Sequence, residues 1–265
     1  MEDKPAQFDR SYAEAFKDRQ VVSAYRHRPP YPAEVFTILD ELITEEPRAV
    51  LDVGAGSGDL ARQLVERVER IDAVDPSAQM IARGQQLPAG QHPHLHWIHG
   101  AVEEVPLAPP YALIMAGSSI HWTDWPRAFP RFRQLLTPAG VLALVHRNTL
   151  LMPWSIEFSE LRAQYSARVG QGSANAVVEL ERRGWFRRQG EKKSAPVLFM
   201  QTIDDFIVGL HSRSHLARER LGEQRAAEFD EQVRRLLLSY HSDGWLPLQV
   251  VGTVTWGQPA VDISA

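Results

Sequence analysis

The stretch VLDVGAGSGDLA, Val50 to Ala61, constrains the possible fold more than any other part of this sequence. It begins as a short apolar run, which is typical of a strand buried on both faces. A glycine-rich loop and a helical pattern follow. A strand, a glycine-rich loop and a helix in this order form the nucleotide-binding turn of open α/β sheets. The stretch therefore predicts an α/β protein that holds a nucleotide or nucleoside at this loop.

The spacing of the glycines argues against a phosphate ligand. Gly54, Gly56 and Gly58 follow the pattern G-x-G-x-G, whereas a dinucleotide turn requires G-x-G-x-x-G and a Walker loop requires Gly-Lys-Ser/Thr. Asp59 stands where the third glycine of the dinucleotide turn would be. Asp59 is interpreted either as an acid stabilised by the helix dipole or as part of the ligand site. Asp52 ends a buried strand, where an unpaired carboxylate is costly, so it predicts a cationic partner.

Asp75 supplies a second clue to the ligand. It ends the next apolar run, about twenty residues beyond the loop, which is the distance at which an acid reaches ribose hydroxyls. The sequence thus predicts that the ligand is a nucleoside with a free ribose, no phosphate and a positively charged group. S-adenosylmethionine meets each of these requirements.

Short apolar runs alternate with helical patterns along the chain. The runs AVLDVG, RIDAVDP, HLHWIHG, YALIMAG and TPAGVLALVH predict five strands of a parallel sheet with right-handed crossovers. APVLFMQ predicts a sixth strand and LQVVGTVTWG a seventh, with helices around the sixth that are interpreted as a cap. The prediction is one domain, residues 1–265, with a core at about 33–147, 195–201 and 247–257 and a cap or lid from 1–31, 150–194 and 202–244.

Composition excludes several classes of protein. The chain has 29 basic and 33 acidic residues, which does not give the positive field of a dedicated nucleic-acid binder. It has no cysteine, which excludes disulfides, zinc–thiolate sites and iron–sulfur clusters. No apolar run approaches the roughly 20 residues of a membrane span, and the charged N-terminus does not match a signal peptide. We expect a cytoplasmic protein without a membrane partner.

The motifs resemble those of class I S-adenosylmethionine-dependent methyltransferases. VLDVGAGSGDLA is similar to their cofactor motif, AVDPSAQMI to their second motif and HGAVEEVPL to their third. YRHRPPYP, SIHW and HSRSHL extend the resemblance to the branch that includes trans-aconitate methyltransferases and the "type 11" group. The resemblance covers nearly the whole chain. It implies a Rossmann-like, doubly wound, seven-stranded sheet, mostly parallel with an antiparallel last strand, and a helical cap.

The resemblance also implies the cofactor site. The third motif usually reads Gly-Asp-Ala-Glu and here begins Gly100-Ala101-Val102, so backbone groups are expected to meet the adenine. The residues that the resemblance assigns to S-adenosylmethionine, and to the product S-adenosylhomocysteine, are Asp52, Gly54, Ala55, Gly56, Asp75, Pro76, Met80, Ala101, Val102, Ala116, Gly117, Ser118 and Trp122.

The acceptor side is less determined. His121 is the first candidate for a catalytic base and His146 the second; the alternative for His121 is that it packs with Trp122 beneath the cofactor. The candidates for substrate or lid contacts are Tyr25, Arg28, Tyr31 and Arg213. The predicted acceptor is a small molecule, methylated at a hydroxyl, a carboxylate or an activated carbon.

Two alternatives stay open. One is an RNA methyltransferase that uses the basic stretch RRGWFRRQGEKK, residues 182–193, although an exposed charged loop is usually only solvated. The other is a protein that binds the cofactor without methyl transfer. No metal site is expected, because the histidines of QHPHLHWIHG coincide with a predicted strand and the turn before it. The chain is expected to be a monomer or a homodimer.

Overall fold

The central element is a mixed sheet, which a computed structural model describes together with its helices over residues 19–166 and 175–260. Five predicted strands are present, and their parallel pairing is as expected. The strands are β1 (Ala49–Val53), β2 (Arg70–Asp75), β3 (Leu95–His99), β4 (Tyr111–Gly117), β5 (Leu136–Thr149), β6 (Phe186–Lys193), β7 (Val197–Thr202) and β8 (Trp245–Pro259). The predicted Rossmann-like α/β fold is confirmed.

The order of the strands creates the switch point that ligands of such sheets use. The sheet runs β3-β2-β1-β4-β5-β8-β6, and β7 pairs with β8 off this path. β1 pairs in parallel with both β2 and β4. The chain therefore adds β2 and β3 on one side of β1, and β4 and β5 on the other. All five residues of β1 are buried. The carboxyl ends of β1 and β4 therefore mark the place where a ligand of this fold binds.

The described residues form ten α-helices. The first five are α1 (Arg19–Ala24), α2 (Ala33–Glu41), α3 (Ala61–Leu64), α4 (Ala78–Gln85) and α5 (Trp125–Leu135). The remaining five are α6 (Ser155–Tyr165), α7 (Ala176–Arg182), α8 (Ile203–Leu210), α9 (Arg218–Leu221) and α10 (Glu223–Tyr240). None of these described helices has the length and apolarity that a membrane span requires.

Two helix starts show how local chemistry sets the boundaries. Ser77 caps α4 as predicted, because its hydroxyl accepts a hydrogen bond from the Met80 N–H at 3.2 Å. The helix predicted from about Gly58 begins only at Ala61. Gly58 has a φ of +74°, which an α-helix does not allow, so the loop must end before the helix starts.

The strand count corrects the sequence-based prediction. Residues 182–193 are predicted as an exposed basic loop, but Phe186–Lys193 forms β6, antiparallel to β8 at the edge of the sheet. Its side chains are mostly charged and exposed on both faces, so it lacks the apolar alternation that identifies a strand. Within the part of the chain that the structure describes, the sheet consequently has eight strands, one more than predicted. The predicted sixth strand exists as β7, which pairs with β8.

The chain divides into two compact units. Of the described residues, the sheet unit comprises 31–147, 175–195 and 251–260, and the helical unit comprises 19–30, 148–166 and 196–250. This division groups β6 with the sheet and β7 with the helices, whereas the predicted core and cap have them the other way round. The sheet unit has a core of aliphatic side chains from α2, α3 and the central strands. The helical unit has its own core, to which Trp154, Phe229 and Leu237 contribute.

Candidate functional site

The glycine loop after β1 has a backbone that only glycine adopts easily. Gly54, Gly56 and Gly58 have φ values of +65°, +58° and +74°. A Cβ at Gly54 would lie 2.6 Å from the Cβ of Ser119, and one at Gly56 would lie 3.1 Å from the Cε of Met80. Ala55 donates its N–H to the Val74 carbonyl at 3.0 Å. The loop is thus held tightly between the ends of β2 and β4.

Asp75 links the end of β2 to this loop. Its Oδ2 accepts a hydrogen bond from the Gly56 N–H at 2.7 Å, and its Oδ1 accepts one from the Ser77 N–H at 2.8 Å. Burial raises the pKa of Asp75, although both backbone hydrogen bonds act in the opposite direction. Each carboxylate oxygen keeps a further lone pair. Asp75 can therefore position the loop and still accept hydrogen bonds from a ligand diol.

Asp52 is the most deeply buried acid of the site. Its side chain is 1% exposed, and its Oδ2 has no hydrogen-bond partner among the described residues. The Ala61 N–H donates to the carboxyl group, but burial dominates and raises the pKa of Asp52 to about 8. The charges of Asp75 and Asp59 raise it further. Asp52 is thus a buried acid whose Oδ2 meets no cation among the described residues.

Asp59 differs from Asp52, because it has its partners within the protein. Its Oδ2 lies 3.3 Å from Nη1 of Arg147, and its Oδ1 lies 3.6 Å from Nη2 of Arg62. The Ser57 hydroxyl donates to Oδ1 at 3.0 Å. Ion pairing with two arginines therefore supports the structural interpretation of Asp59.

The predicted adenine side is assembled around α4 and the end of β3. Met80 is 2% exposed, and its side chain covers Gly56. The Gly100 N–H donates to the Asp75 carbonyl at 3.0 Å. This bond places the turn that contains Ala101 and the buried Val102 beside the end of β2. Pro76 follows β2 directly, and its carbonyl is 3.2 Å from Nε2 of His99 at the end of β3.

One histidine candidate, His146 on β5, lies beside the residue that follows β4. Ala116 is buried, and Ser118 after Gly117 has a φ of +54°. The Ser118 hydroxyl lies 3.4 Å from Nδ1 of His146, while the buried Nε2 of His146 has no partner among the described residues. Burial lowers the pKa of His146, and the charge of Glu191 opposes this shift. His146 is therefore neutral at pH 7 and can accept a proton.

His121 lies in a different arrangement. It belongs to a single 3-10 turn, Ile120–Trp122, and its ring is 4.2 Å from the Trp122 ring at an angle of 51°. Both side chains are half-buried. The ring contact supports the packing interpretation of this pair.

The predicted lid residues fall into both units. Tyr31 belongs to the sheet unit, where the Arg147 guanidinium lies 4.6 Å from its ring centre. Tyr25, Arg28 and Arg213 belong to the helical unit. There Arg28 stacks on Tyr25 at 4.1 Å and donates to the hydroxyl and the carbonyl of Ser212, both at 2.7 Å. Arg28 thus has a structural role within its own unit.

The possible metal site and the basic stretch are the two remaining sequence features. Among the described residues, no group of side chains has the arrangement of a metal site. Neighbouring carboxylates offset part of the positive charge of residues 182–193. The ion pairs are Arg182 with Glu179, Arg188 with Glu181 and Lys192 with Glu41. This stretch therefore does not present an unbroken positive surface.

Sequence patterns did not identify some residues that shape the site. Ser119 fills the space above Gly54, and its hydroxyl donates to the Val53 carbonyl. The Trp97 ring lies behind the loop, 2.6 Å from where a Cβ at Gly58 would be, and its Nε1 donates to the Gly90 carbonyl at 2.8 Å. The sequence offers only weak signals for these contacts. Ser119 lies next to the motif that follows β4, and Trp97 is an aromatic residue within the third predicted strand.

Together, the sheet order, the glycine loop and the two buried carboxylates define a Rossmann-like fold with a ligand loop at its switch point. Residues 50–140 match the methyltransferase domain family. A relative from Mycobacterium tuberculosis, named as an uncharacterized methyltransferase, is 37% identical over 143 residues, which is 53% of this chain and 56% of that protein. The malonyl-(acyl-carrier protein) O-methyltransferase of Halalkalibacterium halodurans is 36% identical over 105 residues, 37% of this chain and 38% of that protein.

A solved structure extends the likeness to most of the chain. It is described as a type II methyltransferase from Anaeromyxobacter dehalogenans and aligns with a TM-score of 0.65 and 25% identity over 87% of this chain and 97% of that one. The chain spans about half the length, or less, of the curated relatives it matches. The match of residues 50–140 to the methyltransferase domain family supports the prediction of a class I S-adenosylmethionine-dependent methyltransferase; the trans-aconitate and type 11 branch stays a prediction.

The residues present fit S-adenosylmethionine, the cofactor of this class. The orphaned Oδ2 of Asp52 is a buried acceptor without a cation. Asp75 lies at the end of the second strand with free acceptor capacity, and the close approach at Gly54 and Gly56 leaves no room for larger side chains. A pyrophosphate, by contrast, would meet two buried acids.

Proposed function

We propose that this chain transfers a methyl group from S-adenosylmethionine to a small-molecule acceptor. The observation that carries this proposal is the glycine loop held between two buried carboxylates, Asp52 and Asp75. Such a loop suits a nucleoside with a cationic tail and disfavours a phosphate. When bound, the cofactor would supply a methyl group on a positively charged sulfur; the acceptor would bond to the methyl carbon while the carbon–sulfur bond breaks and S-adenosylhomocysteine leaves.

The cofactor residues are those that the resemblance implies, and their positions in the sheet unit support this assignment. Asp75 accepts from the ribose, Met80 and Pro76 line the adenine, and backbone groups at Ala101 and Val102 meet its edge. Asp52 faces the amino-acid end, as do the backbones of Gly54, Ala55 and Gly56. Ala116, Gly117, Ser118 and Trp122 border the sulfur from the end of β4.

His146 is the residue that we propose as general base. Its lowered pKa keeps the imidazole neutral at pH 7, and its Nε2 has no partner among the described residues. The Ser118 hydroxyl at 3.4 Å from Nδ1 helps to orient the ring. A neutral, oriented imidazole removes the proton from a hydroxyl or an acidic carbon as the new bond forms. His121 is the second candidate, with a packing role as its alternative.

The acceptor class includes hydroxyls, carboxylates and activated carbons. A carboxylate would need no base, because it is already deprotonated at pH 7. The name of the relative from Halalkalibacterium halodurans describes O-methylation of a malonyl group, whose free oxygen nucleophile is a carboxylate. This similarity supports the inclusion of small organic acids among the acceptors.

The test combines cofactor binding with turnover. Purified protein should bind S-adenosylhomocysteine in calorimetry, and it should form this product from S-adenosylmethionine when a panel of hydroxy acids, dicarboxylic acids and phenols is supplied. Gly56→Arg is the control, because a long side chain at φ +58° beside Met80 blocks the loop. Absence of binding by the unaltered protein would reject the cofactor assignment.

Other results would favour the two alternatives. Tight cofactor binding without turnover on any acceptor would favour a binding protein that does not transfer methyl groups. Methylation of structured RNA, in preference to small acceptors, would favour an RNA methyltransferase; the ion pairs of the basic stretch disfavour it. The single-domain organisation with a cap, the cytoplasmic location and the monomeric or homodimeric state stay predictions from the sequence.

A further inference from the structure

β7 is an edge of the sheet among the described strands. It pairs with β8 along its whole length, from Val197 opposite Val250 to Thr202 opposite Trp245, and it pairs with no other described strand. About half of the N–H and C=O groups of such a strand point away from its partner. β7 therefore presents a row of backbone donors and acceptors to which a further strand can bind.

The sequence of β7 lacks the features that usually protect an edge strand. VLFMQT contains no charged residue and no proline, and its register with β8 is unbroken. β6 differs in both respects, because five of its eight residues are charged and its pairing with β8 shifts register between Arg188 and Gly190. Charges and bulges discourage pairing with another chain. The contrast indicates that β6 disfavours a further strand and that β7 permits one.

The side chains of β7 form a buried row and an exposed row. Phe199 packs against the core of the helical unit, and Gln201 is buried. Leu198 and Met200 lie on the opposite face, because successive side chains of a strand alternate. They are 62% and 47% exposed, and Trp245, opposite Thr202 on the same face, is 47% exposed. Large apolar side chains that are exposed together are typical of a surface that binds another protein.

A second copy of this chain fits the edge, because β7 is complementary to itself. Antiparallel pairing about a twofold axis brings a strand against its own sequence, and a neutral strand meets no like charge there. The charges beyond its two ends are opposite in sign, since Lys193 precedes the strand and Asp204 and Asp205 follow it. All three side chains reach solvent, although each has an ion pair within its own chain. Antiparallel pairing places the basic end of each copy near the acidic end of the other.

We propose that β7 pairs antiparallel with β7 of a second copy, so that the two sheets become continuous across a twofold axis. The register in which Phe199 lies opposite its own copy places Leu198 opposite the partner's Met200. Side chains in such pairs share a face, with their Cβ atoms about 4.5–5.5 Å apart. This register therefore brings the two exposed apolar side chains beside the edge into contact with each other. The dimer is independent of the proposed reaction.

Analytical ultracentrifugation of the full chain over a range of concentrations tests the dimer. The unaltered protein should shift from monomer to dimer as its concentration rises. Leu198→Lys and Met200→Glu should each stay monomeric, because each one places a charge against an apolar side chain in the interface. Val178→Lys adds a charge at an exposed apolar residue of α7 and should dimerise like the unaltered protein. The melting temperatures should stay close to that of the unaltered protein, because the altered side chains are exposed.

Complementary charges test the register. In Leu198→Lys/Met200→Glu, each lysine lies opposite a glutamate of the other copy, so the dimer should return. An equimolar mixture of Leu198→Lys and Met200→Glu should form a mixed dimer for the same reason. Leu198→Lys/Met200→Lys brings like charges together and should stay monomeric.

Cysteine cross-linking gives a second measurement that needs no charged variant. The chain has no cysteine of its own. An oxidised mixture of Leu198→Cys and Met200→Cys should yield a disulfide-linked dimer. Leu198→Cys alone should yield little, because diagonal neighbours lie about 7–8 Å apart, too far for a disulfide.

Three results would overturn the proposal. The unaltered protein could remain monomeric at every concentration, so that β7 has no second copy as its partner. Dimers could persist in Leu198→Lys/Met200→Lys, in which case another surface joins the copies. Finally, the single variants could be monomeric without any recovery in Leu198→Lys/Met200→Glu or in the mixture, and the antiparallel pairing of β7 would then be wrong.

Discussion

Oδ2 of Asp75 accepts a hydrogen bond from the Gly56 N–H at 2.7 Å, so the acid predicted to hold the ribose also holds the glycine loop. The two residues are 19 positions apart in the sequence, and they end or follow adjacent parallel strands. One carboxylate thus holds the glycine loop and is also the proposed acceptor for the ribose. Loss of Asp75 should remove the restraint on the loop together with this proposed ligand contact.

Asp75→Ala should weaken the binding of S-adenosylhomocysteine by about 1–3 kcal/mol, which is the range for a lost hydrogen bond at a buried polar group. Asp75→Asn should retain more affinity, because its amide oxygen can accept one of the lost bonds. Calorimetric titration of both variants checks the order. Equal affinity of Asp75→Ala and the unaltered protein would remove Asp75 from the cofactor site.

Gly54→Ala should destabilise the protein by about 2–3 kcal/mol, because left-handed backbone strain adds to a steric clash. The new Cβ would lie 2.6 Å from the Cβ of Ser119, and the φ of +65° already disfavours alanine. Urea unfolding measures the loss.

Ser119→Gly provides the matched background for this test. In that background Gly54→Ala should cost only the backbone strain, about 1 kcal/mol. The same cost in both backgrounds would show that the loop moves away from β4 without resistance.

The sequence predicts the elements whose cause is local or periodic. β1 is buried on both faces, so it reads as a continuous apolar run. Three alternate glycines mark the loop, and Ser77 marks the start of α4. These signals lie within a few residues of the feature that they predict.

Long-range contacts explain what the sequence did not predict. The clash partner of Gly54 is Ser119, 65 positions away in the chain, and the partner of Asp59 is Arg147. Neither pairing leaves a periodic trace. β6 was missed for another reason: the edge position allows charged side chains on both faces, so the strand resembles a solvated loop.

His146→Gln should lower kcat by about 10²-fold or more for a hydroxyl or carbon acceptor, as expected for the loss of a general base. The affinity for S-adenosylhomocysteine should change little. For the unaltered protein, kcat should stay constant as pH falls to 7. It should decline only at a pH below the usual pKa of histidine, because burial lowers the pKa of His146. Steady-state rates and calorimetry give the two values.

His121→Ala serves as the comparison. If His121 packs on Trp122, this variant should lower the melting temperature while each folded molecule keeps its turnover. The reverse pattern, with catalysis lost in His121→Ala and kept in His146→Gln, would transfer the role of base to His121.

Asp52→Asn should make the folded protein less sensitive to pH. The pKa of Asp52 is about 8 in the folded protein, against 3.8 for an exposed aspartate, so the folded state binds the extra proton between these values. The stability of the unaltered protein therefore falls as pH rises from 4 to 8, by at most about 1.4 kcal/mol per pH unit. Asparagine does not titrate, so the advantage of Asp52→Asn should grow from pH 5 to pH 8 and become constant above that. Urea unfolding at pH 5, 6.5, 8 and 9 measures the difference.

Asp40→Asn, which removes a partly exposed carboxylate paired with Arg48, controls for the change in net charge. A difference that is the same at all four pH values would mean that Asp52 is already ionised in the free protein, and the neutral acid would have to be abandoned.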